Sequence, residues 1–180
     1  MLVGVPREIK DNEFRVGLTP SAVRELVSHG HKVIVQAGAG AVIDLDDDRY
    51  QASGAEIVPE AAEVFARADL VVKVKEPQPQ EIAMLREGQI LFTYLHLAPD
   101  ATQTQGLLKA GCVAIAYETV TDERGGLPLL APMSRSPAGC RYRRAPTLSR
   151  RRRAGAACCW AASRACRPPR WWSSAVASLG

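Results

Sequence analysis

Short apolar runs alternate along this chain with segments whose apolar residues recur every three or four positions. The first run, LVGV at Leu2–Val5, reads as a strand. Thr19-Pro20 reads as a helix start, with Thr as the cap and Pro in the first turn. Val23, Leu26 and Val27 then follow at helical spacing, and His29-Gly30 closes the helix. KVIVQ is the next strand. After it AGAGA reads as a tight turn, because Ile43 stands where a dinucleotide fingerprint needs its third glycine. Helices are expected near 60–67, 81–86 and 101–110, and strands near 70–74, 90–93 and 112–117.

Strands separated by helices of this length predict an α/β fold with a parallel, Rossmann-like sheet and right-handed crossovers. About 130 residues suffice to bury its core. Cys112 falls in the last strand, a buried-strand pattern, and is expected to be inert packing.

Charge changes the picture at one point. Residues 1–134 hold 12 Lys/Arg and 19 Asp/Glu, a net of −7, whereas residues 135–180 hold 11 Arg and no acid, a net of +11. The three Trp and four of the five Cys also fall in the second stretch. The expected division is therefore 1–134 as a domain and 135–180 as a disordered or irregular basic tail. The Arg150–Arg153 run invites a nucleic-acid reading, and Cys158, Cys159 and Cys166 a metal reading. Adjacent cysteines fit no tetrahedral zinc pattern, so no metal is expected.

A shifted reading frame explains the tail better. Taking each codon's third base with the next codon's first two, Cys158-Cys159-Trp160 before Ala161 can encode only Leu-Leu-Gly. With permitted wobble bases the tail spells a strand, KVVVI, followed by GGGVAG, a phosphate-binding turn in its proper context. The expectation is a frameshift near Ser134 and a missing nucleotide-binding domain. No apolar run is long enough to span a bilayer and no leader pattern opens the chain, so it reads as soluble, unprocessed and cytoplasmic, with no membrane partner.

Polar residues at the carboxyl ends of parallel strands face a ligand crevice. Three stretches put them there: REIKDNEFRVGLTP with Arg7, Lys10 and Arg15; KVKEP with Lys73 and Lys75; and TYLHLA with Tyr94 and His96. An Arg and a Lys together suit a small carboxylate, and a His beside them can move protons near neutral pH. Taken singly each has a plain explanation: Arg15 a surface charge, Lys75 a solvated strand end, His96 a hydrogen-bonded structural group.

The segments VGVPREIKDNEFRVGLTP, LVVKVKEP, LREGQILFTYLHLA, AIAYET and LPLLAPMS, in register from Met1 to Ser134, closely resemble the alanine dehydrogenase family. Transhydrogenase and saccharopine-type dehydrogenases share the opening strand and loop but not KVKEP with TYLHLA, and rank second; a non-catalytic module that binds small carboxylates is the other alternative. The resemblance implies reversible oxidative deamination of L-alanine to pyruvate and ammonia with NAD. It implies Arg15 on the substrate carboxylate, Lys75 on its keto or amino end, His96 as acid–base group, and Met133 and Ser134 beside the nicotinamide. One departure, AVIDLDDDRY with Asp46-Asp47-Asp48, reads as a surface-loop change. The chain as written is expected to be inactive, and the family's homo-oligomer is not expected of it.

Overall fold

The computed structural model describes residues 1–131; Met133, Ser134 and the Arg-rich tail lie outside the described residues. Six strands form one all-parallel sheet in the order β3-β2-β1-β4-β5-β6. They are β1 (Leu2–Val5), β2 (Lys32–Gln36), β3 (Glu56–Val58), β4 (Leu70–Val72), β5 (Ile90–Thr93) and β6 (Val113–Ala116). Helices α1 (Pro20–Ser28), α2 (Asp47–Ala52), α3 (Ala61–Arg67), α4 (Pro79–Ile82) and α5 (Ala101–Ala110) connect them. This is the expected parallel α/β architecture, and its strand order is that of a doubly wound nucleotide-binding sheet.

The alternation along β2 shows why the sheet is covered on both faces. Val33 and Val35 enter one apolar cluster with Val3, Val5, Val23 and Tyr50. Ile34, between them, enters another with Val64, Phe65, Val71 and Leu91. Successive side chains on a strand point to opposite faces, so a run of β-branched residues fills two cores at once. Gly4 lets α3 approach β1 closely: a Cβ there would lie 2.7 Å from both Ala68 Cβ and Val64 Cγ1.

Several details differ from the sequence expectation: α4 spans Pro79–Ile82 where a helix was expected near 81–86, and β4 ends at Val72 and not near 74. The Asp46–Asp48 run is not a loop but the start of α2: Asp46 caps it by accepting from the Arg49 N–H at 3.3 Å. Tyr50 of α2 is fully buried and donates to the Leu18 carbonyl at 2.8 Å, and burial pushes its phenol upward. β3 follows α2 and was not anticipated. Finally, β6 is not a buried strand: Val113 is 50% exposed and Ile115 39%. Cys112, just before it, is a half-buried free thiol whose pKa burial raises.

Candidate functional site

The strand order reverses between β1 and β4, and in open α/β sheets ligands bind outside the carboxyl ends of the strands at that switch point. The residues that follow β1 and β4 meet there. Glu8, after β1, accepts the Val74 N–H at 2.7 Å and the Lys73 ammonium at 3.1 Å. Lys73 also donates to Glu81 of α4 at 2.7 Å, and the three side chains are 0%, 2% and 2% exposed for Lys73, Glu8 and Glu81. Lys73, expected at the crevice, is therefore a core residue. Its ammonium needs partners because burial of an unpaired charge is prohibitive, and the two carboxylates supply them. Burial pushes the Glu8 carboxyl above its ordinary value, although Lys73 and the Val74 N–H pull against it. Lys10 is likewise engaged, in an ion pair with Glu76.

This network fixes the backbone that carries Lys75. The Val74 carbonyl accepts from the Tyr117 hydroxyl at 2.7 Å, and the Lys75 carbonyl from Thr93 Oγ1 at 2.7 Å. Lys75 itself is half-buried and turns its ammonium over the face of Tyr94, 5.0 Å from the ring centroid. That distance lies within cation–π range.

Arg15 reaches the same region from the β1 loop. The loop can pass β4 only because residue 17 is glycine, where a Cβ would stand 2.5 Å from the Val72 carbonyl oxygen. Arg15 donates through Nε at 2.8 Å to one oxygen of Glu13 and through Nη2 at 2.5 Å to the other. Burial raises the Glu13 carboxyl, but these bonds outweigh it and hold the group below its ordinary value. The same bonds hold the Arg15 guanidinium above its own. Lys75 lies within electrostatic reach of Glu13, and Tyr117 and Glu8 within reach of Arg15.

His96 stands past β5 in a left-handed conformation, φ 47°. That region is unfavourable for side chains with a Cβ, so the turn needs support. Glu118 provides it by accepting the His96 N–H at 2.8 Å and the Leu95 N–H at 3.0 Å. The exposed imidazole stacks on Tyr94 with centroids 5.6 Å apart, and Nδ1 meets the Tyr94 hydroxyl at 3.1 Å. Tyr94 in turn lies 5.8 Å from Tyr117, whose phenol is pushed up to about 12 by burial.

Arg15, Lys75 and His96 thus share one end of the sheet: Tyr94 touches both Lys75 and His96 and packs on Tyr117, and Arg15 lies within electrostatic reach of Tyr117. Arg7, on the same loop, is exposed. The sequence reading missed Glu13, Tyr117 and Glu118; the last two follow β6 and would have been found by treating its end like the other strand ends. The glycine turn after β2 offers no phosphate cradle: the Gly38 N–H is taken by both oxygens of Asp47, at 2.9 and 3.2 Å. Among the described residues no helix is long and apolar enough to cross a membrane.

Residues 4–136 match the family described as "Alanine dehydrogenase/PNT, N-terminal domain". The chain belongs to that family. It is 54% identical over 134 residues to alanine dehydrogenase of Halomonas elongata, covering 74% of this chain and 36% of that protein. It is 50% identical to that of Bacillus subtilis over 134 residues, 74% of this chain and 35% of that one. Among solved structures, an L-alanine dehydrogenase aligns with a TM-score of 0.72 and 50% identity over 74% of this chain and 37% of that one. A transhydrogenase from Sinorhizobium meliloti aligns at 0.64 and 30% identity, over 69% and 37%. The chain therefore spans little more than a third of the length of its alanine dehydrogenase relatives.

Proposed function

We propose that residues 1–134 form the substrate-binding part of an NAD-dependent alanine dehydrogenase, acting on L-alanine and pyruvate in the cytoplasm. The observation that carries the reading is the Arg15 fork closed on the two oxygens of Glu13. A guanidinium engages a carboxylate through two parallel N–H bonds, so this contact has the shape that a substrate carboxylate would take. Lys75 adds a positive charge to the same region and would hold the keto or amino end. His96 would move the proton, through Nε2, since Nδ1 is engaged by Tyr94.

NAD would supply the hydride chemistry. The described residues do not fit it, because the glycine turn after β2 already holds its own carboxylate. In this reading the pyrophosphate site belongs to the shifted-frame segment after Ser134, with Met133 and Ser134 on its nicotinamide side, and residues 135–180 are its out-of-frame remnant. The similarity to curated relatives extends over 134 residues, which supports a break there. The transhydrogenase reading stands second, on 30% identity against 50–54%.

Titration of pyruvate into the 180-residue chain tests the site. Saturable binding that is lost in both Arg15→Ala and Lys75→Ala supports it, and no binding to the parent chain refutes the binding reading. Resequencing the gene across the Ser134 codon tests the frame. With the frame restored, NADH should form from L-alanine, and the 180-residue chain should give none; activity of the latter would sink the reading of the tail. His96→Ala in the restored enzyme should lose kcat far more than affinity for pyruvate.

A further inference from the structure

Tyr94 is half-buried, is given no substrate contact in the proposed function, and yet touches two of the three candidate groups. Its ring face lies 5.0 Å beneath the Lys75 ammonium, and its hydroxyl lies 3.1 Å from His96 Nδ1. It also stacks nearly parallel on the imidazole, at 16°. Its ring also packs, tilted, 5.8 Å from that of Tyr117, whose own hydroxyl donates to the Val74 carbonyl one residue before Lys75. We propose that Tyr94 is the positioning residue of the site, holding the Lys75 ammonium with its ring and fixing the His96 tautomer with its hydroxyl.

The chemistry of the two contacts differs, which makes them separable. A phenol is a better donor than acceptor, so beside a neutral imidazole it donates to Nδ1 and leaves the ring hydrogen on Nε2. That nitrogen has no other partner among the described residues and is the one that would hand a proton to a substrate oxygen. The ring contact needs only the aromatic face, whose negative quadrupole attracts a cation whether or not a hydroxyl is present. Among the described residues, the charged and titratable groups that face this pair are Lys75 from the β4 end and Tyr117 and Glu118 from the β6 end, with Arg15 of the β1 loop within electrostatic reach of Tyr117. Glu118 accepts the His96 backbone N–H, and the hydroxyl that meets the ring nitrogen is that of Tyr94.

The proposal rests on the reading of Lys75 and His96 as substrate groups, but its test needs no substrate. In the 180-residue chain with ¹⁵N-labelled histidine, ring-nitrogen shifts at a pH where imidazole is neutral report each tautomer. His29 is an internal reference of opposite sense, since its Nδ1 lies 2.8 Å from the Glu25 carbonyl, which can only accept. His96, assigned by its loss in His96→Gln, should carry its hydrogen on Nε2. In Tyr94→Phe the gap between its two nitrogen shifts should narrow, with His29 unchanged. Acylation of Lys75 by a small amine reagent, read by mass spectrometry against Lys32 and Lys109, should be unchanged in Tyr94→Phe. In Tyr94→Leu it should rise about two- to fivefold, the loss of one exposed cation–π contact. A merely structural role would shift amide signals across the domain and leave both readouts flat. Unchanged His96 shifts in Tyr94→Phe together with unchanged Lys75 acylation in Tyr94→Leu would overturn the proposal. Failure to bind pyruvate would instead overturn the functional reading and leave these two measurements standing.

Discussion

Replacing Lys73 by methionine tests whether the buried triad beneath the site is held by charge. The substitution keeps roughly the volume and removes the ammonium that Glu8 and Glu81 share at 3.1 and 2.7 Å. The carboxylates keep one backbone donor each, from Val74 and Gln78 at 2.7 Å, but lose their counter-charge in a region 2% exposed. Removing one partner of a buried ion pair typically costs about 3–5 kcal/mol, because the other charge stays behind. Against a domain stability of about 5–15 kcal/mol that is a large fraction, equivalent to a fall in Tm of roughly 10–20 °C.

The pH dependence separates charge loss from poor packing. Lys73 pulls the Glu8 carboxyl down against its burial, so without it the folded pKa of Glu8 stands further above the unfolded value. A group raised on folding contributes stability that is fully present below its unfolded pKa, about 4.3 for Glu, and lost as pH rises through its folded value. The deficit of Lys73→Met should therefore be full at pH 7 and smaller at pH 5. In the parent chain the raised Glu8 already gives a weaker slope of that sign. Urea denaturation followed by far-UV circular dichroism at the two pH values measures it. A deficit under about 1 kcal/mol at pH 7, or one equal at both pH values, would refute the argument. Adding Glu8→Gln and Glu81→Gln to Lys73→Met should recover much of the loss, since no buried charge then remains.

Gly17→Ala puts a Cβ 2.5 Å from the Val72 carbonyl oxygen, a backbone atom that cannot swing away. The variant should lose about 1–3 kcal/mol in urea denaturation and bind pyruvate more weakly, because the shifted loop carries Arg15. Tyr50→Phe should cost about 1–3 kcal/mol by the same assay, since it strips the buried Leu18 carbonyl of its donor without opening a large cavity. A Tyr50→Phe chain as stable as its parent would mean that the carbonyl finds another partner.

The sheet was legible because its strands are buried on both faces and flanked by capped helices. KVIVQ and LVV are runs of β-branched residues that fill two cores, and Thr19-Pro20 marks a helix start that the structure reproduces with the Thr19 Oγ1 cap. What failed were elements whose signal was too short or too polar. β3 has three residues and begins with an exposed Glu56, so it offers no period to count. α2 has six residues and one buried side chain, Tyr50, inside a run of aspartates that composition alone makes loop-like. The aspartates are there for the helix: Asp46 caps its first turn, and Asp47 reaches back to the glycine turn.

The candidate site could be named from residue types, and the partners of those residues could not. Strand ends pointed to Arg15, Lys75 and His96, but spacing along one strand carries nothing about which neighbouring strand will pair with it. Lys73 and Lys75 are two residues apart and look alike in sequence, and only the third dimension separates them. The side chain at 73 points into the core, where Glu8 and Glu81 arrive from the β1 loop and α4. That at 75 comes out over Tyr94, from β5. The division has a physical logic. A charge that must stay put beneath a site can be buried if two carboxylates satisfy it, while a charge that must meet a substrate needs a partner that leaves its donors available. An aromatic face is such a partner, since it attracts the ammonium without using up its hydrogen-bonding capacity. Lys73 is held between two carboxylates, and Lys75 over an aromatic face keeps its donors available, which is what the proposed role of Lys75 on a carboxylate or carbonyl ligand would require.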